Sequence, residues 1–284
     1  MIPMPFEYHR ASSVDDALKA MAATGGNGKF VAGGHSLVPL MKLRLSEPGS
    51  LIDIARIPEL SGIREKDGQI EIGAATVHHA VATSKLLQER SPIVSDAAAT
   101  IGDTQVRNRG TIGGSLAHAD PSADMPAVMV ALDAEVQLQS AKGRRSVKAV
   151  DFFQDLFTVD LQPDEIITAV RFAPAKVAAY EKLYQKASHY ALVGVAAVLD
   201  VKGGKIQSAR IGLTGATTHA IRLSTIEQAL AGQPATTDAV EKASSGAGAQ
   251  LENVNVDLHA GEDYRRAMVG VFVKRALAGA LARA

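Results

Sequence analysis

Residues Gly110–Ala127 read GTIGGSLAHADPSADMPA: three glycines, two prolines, one histidine and two aspartates in eighteen residues of an otherwise bland chain. A flexible, nearly uncharged loop that runs on to a carboxylate lets a backbone come close to something polar. An earlier stretch has the same design. Val31–Arg44 reads VAGGHSLVPLMKLR, again a Gly-Gly turn leading into apolar residues. The two stretches are treated as halves of one site.

Successive backbone N–H groups around a glycine turn form a concave nest for an anion, and a following helix N-terminus adds its positive dipole end. Glycine serves because a Cβ blocks close approach and the positive φ angles such turns use. AGGHS supplies Gly33, Gly34 and Ser36; TIGGS supplies Gly113, Gly114 and Ser115. No Lys or Arg lies between Val31 and Met41, so an anion there must be held by amides and hydroxyls. One such loop is usually an ordinary turn, but two of the same design favour a dinucleotide. Asp124, ten residues after Gly114, can bond a ribose hydroxyl as acids do in other dinucleotide sites. It can also cap a helix beginning DMPAVMVAL, with Pro126 near the first turn. The two roles are compatible.

Other readings fit worse. TGGNGKF ends in Gly-Lys, but Ala23 stands where a P-loop needs its first glycine and Phe30 replaces the magnesium-binding Ser/Thr. Neither Gly-Gly turn continues as G-x-G-x-x-G. His118, Asp120 and Asp124 form a His/Asp cluster without a second histidine at ligand spacing. The adjacent His78 and His79 point about 100° apart on a helix and do not chelate together. No metal ligand set is assigned, and a metal-dependent hydrolase built on His118 and Asp120 is the rival reading.

Composition bounds the rest. Lys+Arg and Asp+Glu both number 30, so the net charge is zero, against nucleic acid or an anionic membrane as main partner. The chain has no cysteine, which excludes disulfides, thiolate zinc sites, a cysteine nucleophile and iron–sulfur clusters held by this chain. MIPMPFEYHR lacks the pattern of a signal peptide, and the apolar run YALVGVAAVL is too short to span a bilayer. A cytoplasmic protein without membrane insertion is expected. Its 284 residues suggest two domains, or one with an appendage.

The patterning predicts a helix over SSVDDALKAMAATGG, capped by Ser13, burying Val14, Ala17, Leu18 and Met21, and ended by Gly25. KFVAGG reads as a strand entering a tight turn. SLIDIARI and QIEIGAAT read as strands, with Asp53 and Glu71 at polar positions. TVHHAVATSKLL reads as one helix capped by Thr76, and PIVSDAAATIG as another. EVQLQSAKGRRSVKAV predicts a hairpin turning at Lys142-Gly143, followed by a strand at DEIITAVRF. A boundary falls near APAKVAAYEK. Beyond it are expected two strands around Gly203-Gly204, a helix capped by Ser224 with Glu227, and a last helix from DYRRAMVGVF.

AGGHSLVPLMKLRL together with IGDTQVRNRGTIGGSLAHADPSADMPA resembles the medium, FAD-binding subunit of molybdenum hydroxylases of the aerobic carbon monoxide dehydrogenase type, in the xanthine dehydrogenase family. The likeness runs from MIPMPFEYHR through GLTGATTHA to the C-terminal helix. It implies an α+β fold: an FAD-binding domain of the vanillyl-alcohol-oxidase/cobalamin-flavoprotein type over 1–175, in subdomains of about 1–57 and 58–175. A smaller α+β C-terminal domain would span 176–284. By the resemblance, Ala32, Gly33, Gly34, His35, Ser36 and Leu37 wrap the pyrophosphate of a non-covalent FAD. Thr111, Ile112, Gly113, Gly114 and Ser115 form the second motif. Ile101 lines the cofactor site, Asp124 lies near the ribose, Lys182 near the flavin ring and Tyr190 beside the isoalloxazine; a core-packed aromatic is the other reading of Tyr190.

Ser115 stands where many members have asparagine. The branch that reduces aromatic thioesters, with its cysteine-rich insert, is excluded by the lack of cysteine. The implied partners are a small subunit with two [2Fe–2S] clusters and a large molybdopterin subunit, in a dimer of heterotrimers that passes electrons to an external acceptor. No residue of this chain is expected to be catalytic. A self-sufficient flavin oxidoreductase of the same fold is the main rival.

Overall fold

A computed structural model describes residues 2–284. The first strands β1 (Glu7–Arg10), β2 (Gly28–Val31) and β3 (Ser50–Asp53) form a parallel sheet in the order β1-β3-β2. Parallel strands need a crossover, and α1 (Val14–Ala23) supplies it between β1 and β2. Ser13 caps α1 by accepting the Asp16 N–H, and Val14, Ala17, Leu18 and Met21 are buried as their spacing predicts. Thr24 closes the helix, with Gly25 following at φ +61°. The short helix α2 (Leu37–Lys42) follows the first glycine pair.

A five-stranded antiparallel sheet comes next. Its strands are β4 (Ile63–Lys66), β5 (Gln69–Gly73), β6 (Glu135–Ser140), β7 (Gly143–Lys148) and β10 (Ile166–Phe172), in the order β4-β5-β10-β6-β7. Glu71 is buried rather than solvent-facing, because Arg64 on β4 and Arg171 on β10 stand opposite it and pair with it. The β6–β7 turn is Ala141–Lys142, one residue earlier than predicted, since the Ser140 hydroxyl accepts the Lys142 N–H.

Between β5 and β6 run six helices: α3 (His78–Ala82), α4 (Lys85–Arg90), α5 (Pro92–Ala99), α6 (Thr104–Arg107), α7 (Ile112–His118) and α8 (Asp124–Ala131). The single helix predicted from Thr76 is therefore two. Thr76 spends its hydroxyl on the Gly62 backbone and cannot cap, and Ser84 starts α4 by accepting the Leu87 N–H. The turn α9 (Ala149–Phe152) and the small hairpin β8 (Phe153–Asp155) and β9 (Thr158–Val159) lead into β10.

The last part is an antiparallel meander of β11 (Ala178–Tyr184), β12 (Ala191–Lys202), β13 (Lys205–Thr214) and β14 (Ile221–Arg222), with α10 (Ser224–Leu230), α11 (Thr237–Ser244) and α12 (Glu262–Leu281). The sequence pattern missed β11, β14 and α11. Ser224 does not cap α10, and Glu227 accepts the Ile211 N–H and pairs with Arg222 instead.

The chain folds as the expected α+β architecture, and α8 is its pivot. All eight α8 residues are buried, as an apolar-all-round helix must be. Gly212 on β13 lets α8 approach: a Cβ there would lie 2.1 Å from the Ala127 carbonyl oxygen. Nor is the segment before α8 a flexible loop. The carbonyls of Pro121, Ser122 and Ala123 accept bonds from Gly215, Ala191 and Thr214 of the meander. No described helix is long and apolar enough to cross a membrane.

Candidate functional site

The first glycine loop leaves β2 and enters α2. Gly34 has φ +74°, the left-handed conformation glycine tolerates. The N–H groups of Gly33, Gly34, His35, Ser36 and Leu37 have no acceptor among the described residues. Five consecutive unspent donors in a turn of this shape form an anion nest. Ser36 makes no capping bond to α2, so its hydroxyl is available to the same space. His35 is exposed, with Nδ1 3.1 Å from the Gly33 carbonyl oxygen.

The second loop differs from its expected design. Gly113 and Gly114 lie within the first turn of α7, not before it, and neither has a positive φ. Their amides are already spent. Ile112 N–H bonds Thr76 O, Gly113 N–H bonds Ala74 O, and Ser115 N–H bonds Thr111 O. Gly114 N–H goes to the Thr111 hydroxyl that caps the helix. Gly113 is a packing glycine, since its Cβ would meet Ala74 at 2.5 Å. What this segment presents outward is the Ser115 hydroxyl and the exposed, Cβ-free face of Gly114.

The fold brings the two loops together. A Cβ on Gly33 would lie 2.3 Å from the Arg109 carbonyl oxygen and 2.9 Å from Gly110 Cα. The first loop is thus pressed against the residues that open the second. Gly110 is held from the other side by His78, whose N–H donates to Gly110 O and whose imidazole packs where a Gly110 Cβ would be. Burial drives the His78 pKa down to about 4, keeping the ring neutral, and its Nδ1 is buried without a partner. The exposed Arg109 puts a cation in the chain beside the nest, which the sequence around Gly33 lacks.

The remaining predicted residues meet at the junction with the meander. Asp124 is the first residue of α8, but its carboxylate makes no capping bond. Its Oδ1 accepts from the Tyr180 hydroxyl and its Oδ2 from Lys182 Nζ at 3.0 Å, with both ion-pair side chains 5% exposed. Burial raises the Asp124 carboxyl's pKa, opposed by Lys182 and Tyr180, and burial followed by Asp124 pushes the Tyr180 phenol well up. Lys182 also reaches the carbonyls of Thr100, beside Ile101, and of His189, beside Tyr190.

Tyr190 is 47% exposed, so it is not a core aromatic. Partial burial, then Asp120 and Asp124, raise its phenol's pKa. His118 and Asp120 have other work. His118 stacks on Phe157 at 5.1 Å, and Asp120 accepts the Ser122 N–H. No group of three or more metal-ligating side chains occurs among the described residues.

Sequence reasoning weighed His78 only as a metal ligand and missed Arg109 and Tyr180. Only Tyr180 carried a readable signal, since strand alternation puts it on the same face as Lys182. Sulfur-free, hydroxyl- and amide-lined, with one glycine that cannot bear a Cβ, the nest suits a diphosphate held at close range.

The model for the FAD-binding domain in molybdopterin dehydrogenase matches residues 4–175, and that for the CO dehydrogenase flavoprotein C-terminal domain matches residues 178–280. The chain is 43% identical to the carbon monoxide dehydrogenase medium chain of Hydrogenophaga pseudoflava, covering 100% of this chain and 99% of that one. It is 36% identical to the glyceraldehyde dehydrogenase medium chain of Sulfolobus acidocaldarius, over 97% of this chain and 98% of that one. Among solved structures it is similar to carbon monoxide dehydrogenase from Hydrogenophaga pseudoflava, with TM-score 0.95, 44% identity and coverage of 100% and 99%. It is also similar to quinoline 2-oxidoreductase from Pseudomonas putida 86, with TM-score 0.93, 31% identity and 99% of each chain covered.

Proposed function

The chain belongs to the FAD-binding medium subunits of molybdenum hydroxylases, of the carbon monoxide dehydrogenase type, and from that premise we propose that it is the electron-relay subunit of such a complex. It takes electrons from [2Fe–2S] clusters of a small partner subunit and hands them to an external acceptor. A large molybdopterin subunit oxidises the substrate, and the assembly is a cytoplasmic dimer of heterotrimers. The FAD-binding domain spans 1–175, in subdomains of about 1–57 and 58–175, and the C-terminal domain spans 176–284.

The observation that carries this reading is the run of five unspent N–H groups over Gly33–Leu37, pressed against Arg109–Gly110. These amides, with Ala32 behind them and the Ser36 hydroxyl beside them, hold the FAD pyrophosphate without a lysine. Thr111, Ile112 and Gly113 build the second wall through their internal bonds, and Gly114 and Ser115 face the cofactor. Asp124 lies near the ribose; Ile101 and Tyr190 flank the ring. Bound FAD supplies one- and two-electron transfer. The protein contributes binding, ring orientation and an exposed edge for the partners, and no side chain here acts as acid or base on the substrate.

The partner requirement follows from composition. Iron–sulfur clusters need thiolate ligands, and this chain has no cysteine. The isolated chain should therefore bind FAD and pass electrons from a strong reductant to a dye, yet oxidise no hydroxylase substrate. The experiment compares turnover of aldehydes, N-heterocycles and carbon monoxide by the lone chain and by the reconstituted complex. Substrate turnover by the lone chain would replace this reading with the self-sufficient flavoenzyme.

A further inference from the structure

Lys182 does more than pair with Asp124. Its ammonium group donates to Asp124 Oδ2 at 3.0 Å, to Thr100 O at 3.0 Å and to His189 O at 2.8 Å. A lysine has three N–H donors, so none remains for anything outside the protein. Two of the acceptors are main-chain carbonyls of separate segments, the turn after α5 and the tip between β11 and β12. His189 joins the same segments again, with Nδ1 2.9 Å from Gly102 O. It does so from a left-handed backbone, φ +62°, which a non-glycine residue keeps only when its surroundings hold it there. The next residue but one is pinned as well, Ala191 N–H to Ser122 O.

We propose that Lys182 is a positioning residue: it spends its whole ammonium group locking the Thr100–Gly102 turn to the Tyr190 tip, so that Ile101 and Tyr190 form one preset wall of the flavin site. The description of that wall rests on the flavin reading above; the lock itself does not. Asp124 makes the lock electroneutral, so Lys182 can be buried without leaving an unpaired charge. Lys182 reaches the cofactor only through Tyr190 and Ile101.

The lock is tested by amide hydrogen exchange in the flavin-free chain. Three amides report it: Ile101 bonded to Ala98 O, Gln185 bonded to Tyr190 O, and His189 bonded to Gln185 O. In Lys182→Met all three should exchange at least about tenfold faster relative to the β12 amides of Val195 and Ala197, as loss of charge-assisted bonds opens the segments locally. Tyr180→Phe removes the other bond to Asp124 and touches neither segment, so its three reporter amides should keep pace with β12. Lys182→Gln, which keeps fewer donors, gives the same readout if the methionine variant does not fold. With FAD added, Lys182→Met should also change the visible circular dichroism of the bound flavin. Reporter amides that stay in step with β12 in both lysine variants, or that open equally in Tyr180→Phe, would reduce Lys182 to a buried ion-pair partner and overturn the proposal. Failure of the wild-type chain to take up FAD would instead strike the flavin reading and leave the exchange result standing.

Discussion

Gly33→Ala is the sharpest perturbation of the nest. The new Cβ would lie 2.3 Å from the Arg109 carbonyl oxygen and 2.9 Å from both its carbonyl carbon and Gly110 Cα. All three are backbone atoms, so no side-chain rotation relieves the overlap. Ordinary contact begins at 3.4 Å, so the two loops must part by about 1 Å. Overpacking of this kind costs about 1–3 kcal/mol. Taken out of the geometry that receives the cofactor, that cost raises the FAD dissociation constant roughly 5- to 140-fold. Backbone strain plays no part, because Gly33 has no positive φ. The assay is titration of FAD into apoprotein, followed by quenching of flavin fluorescence, with circular dichroism to verify folding. Gly261→Ala, remote from both loops at the start of α12, is the internal control. Nothing lies within 4 Å of its Cβ and its φ is not positive, so FAD affinity should stay within about threefold of wild type. Wild-type affinity in folded Gly33→Ala protein would refute the reasoning, because the loops would then not be pressed together around the cofactor.

Three further outcomes are expected. Burial holds the His78 pKa near 4 against an ordinary 6.5, so the unfolded chain binds more protons between those values. Stability should therefore fall as pH drops from 6.5 toward 4, by about 3 kcal/mol; urea melts of His78→Asn should lack this component. Hydrogen bonds from Arg145 hold both Asp160 and Glu165 below their ordinary values of 3.8 and 4.5. The stability from this triad is present above those values and lost as pH falls through the lowered ones. Thermal melts of Arg145→Met should be less steep in pH below about 4.5 than wild type, and an unchanged acid limb would count against the triad. Acid precipitation should leave all the flavin in the supernatant: without cysteine only a histidine or tyrosine could anchor it, and the proposed site puts His35 at the pyrophosphate rather than at the ring. Flavin in the pellet would mean a covalent link.

What the sequence determined by itself is chemistry that depends on residue identity and short spacing. The two glycine pairs, the buried face of α1 and the hairpin of β6 and β7 are local, so periodicity and turn chemistry expose them. The absence of cysteine fixes that any iron–sulfur cluster is held elsewhere. The tertiary structure alone decided how the pairs are used. GGHS and GGSL look alike in sequence, yet the amides of the first are unspent while Ala74 and Thr111 consume those of Gly113, Gly114 and Ser115 in the second. A glycine in a sequence announces a missing Cβ but not what fills its place. For Gly33 that is the Arg109 carbonyl, and for Gly212 it is Ala127. Lys182 reads as one cation just past a domain boundary until Thr100, Asp124 and His189 close on it. Only the bonds to Thr111 and the His189 bond to Lys182 are local; the other contacts join segments far apart along the chain. Local patterning carries no information about them, because the partner of an amide or ammonium is set by whichever segment packing brings opposite it.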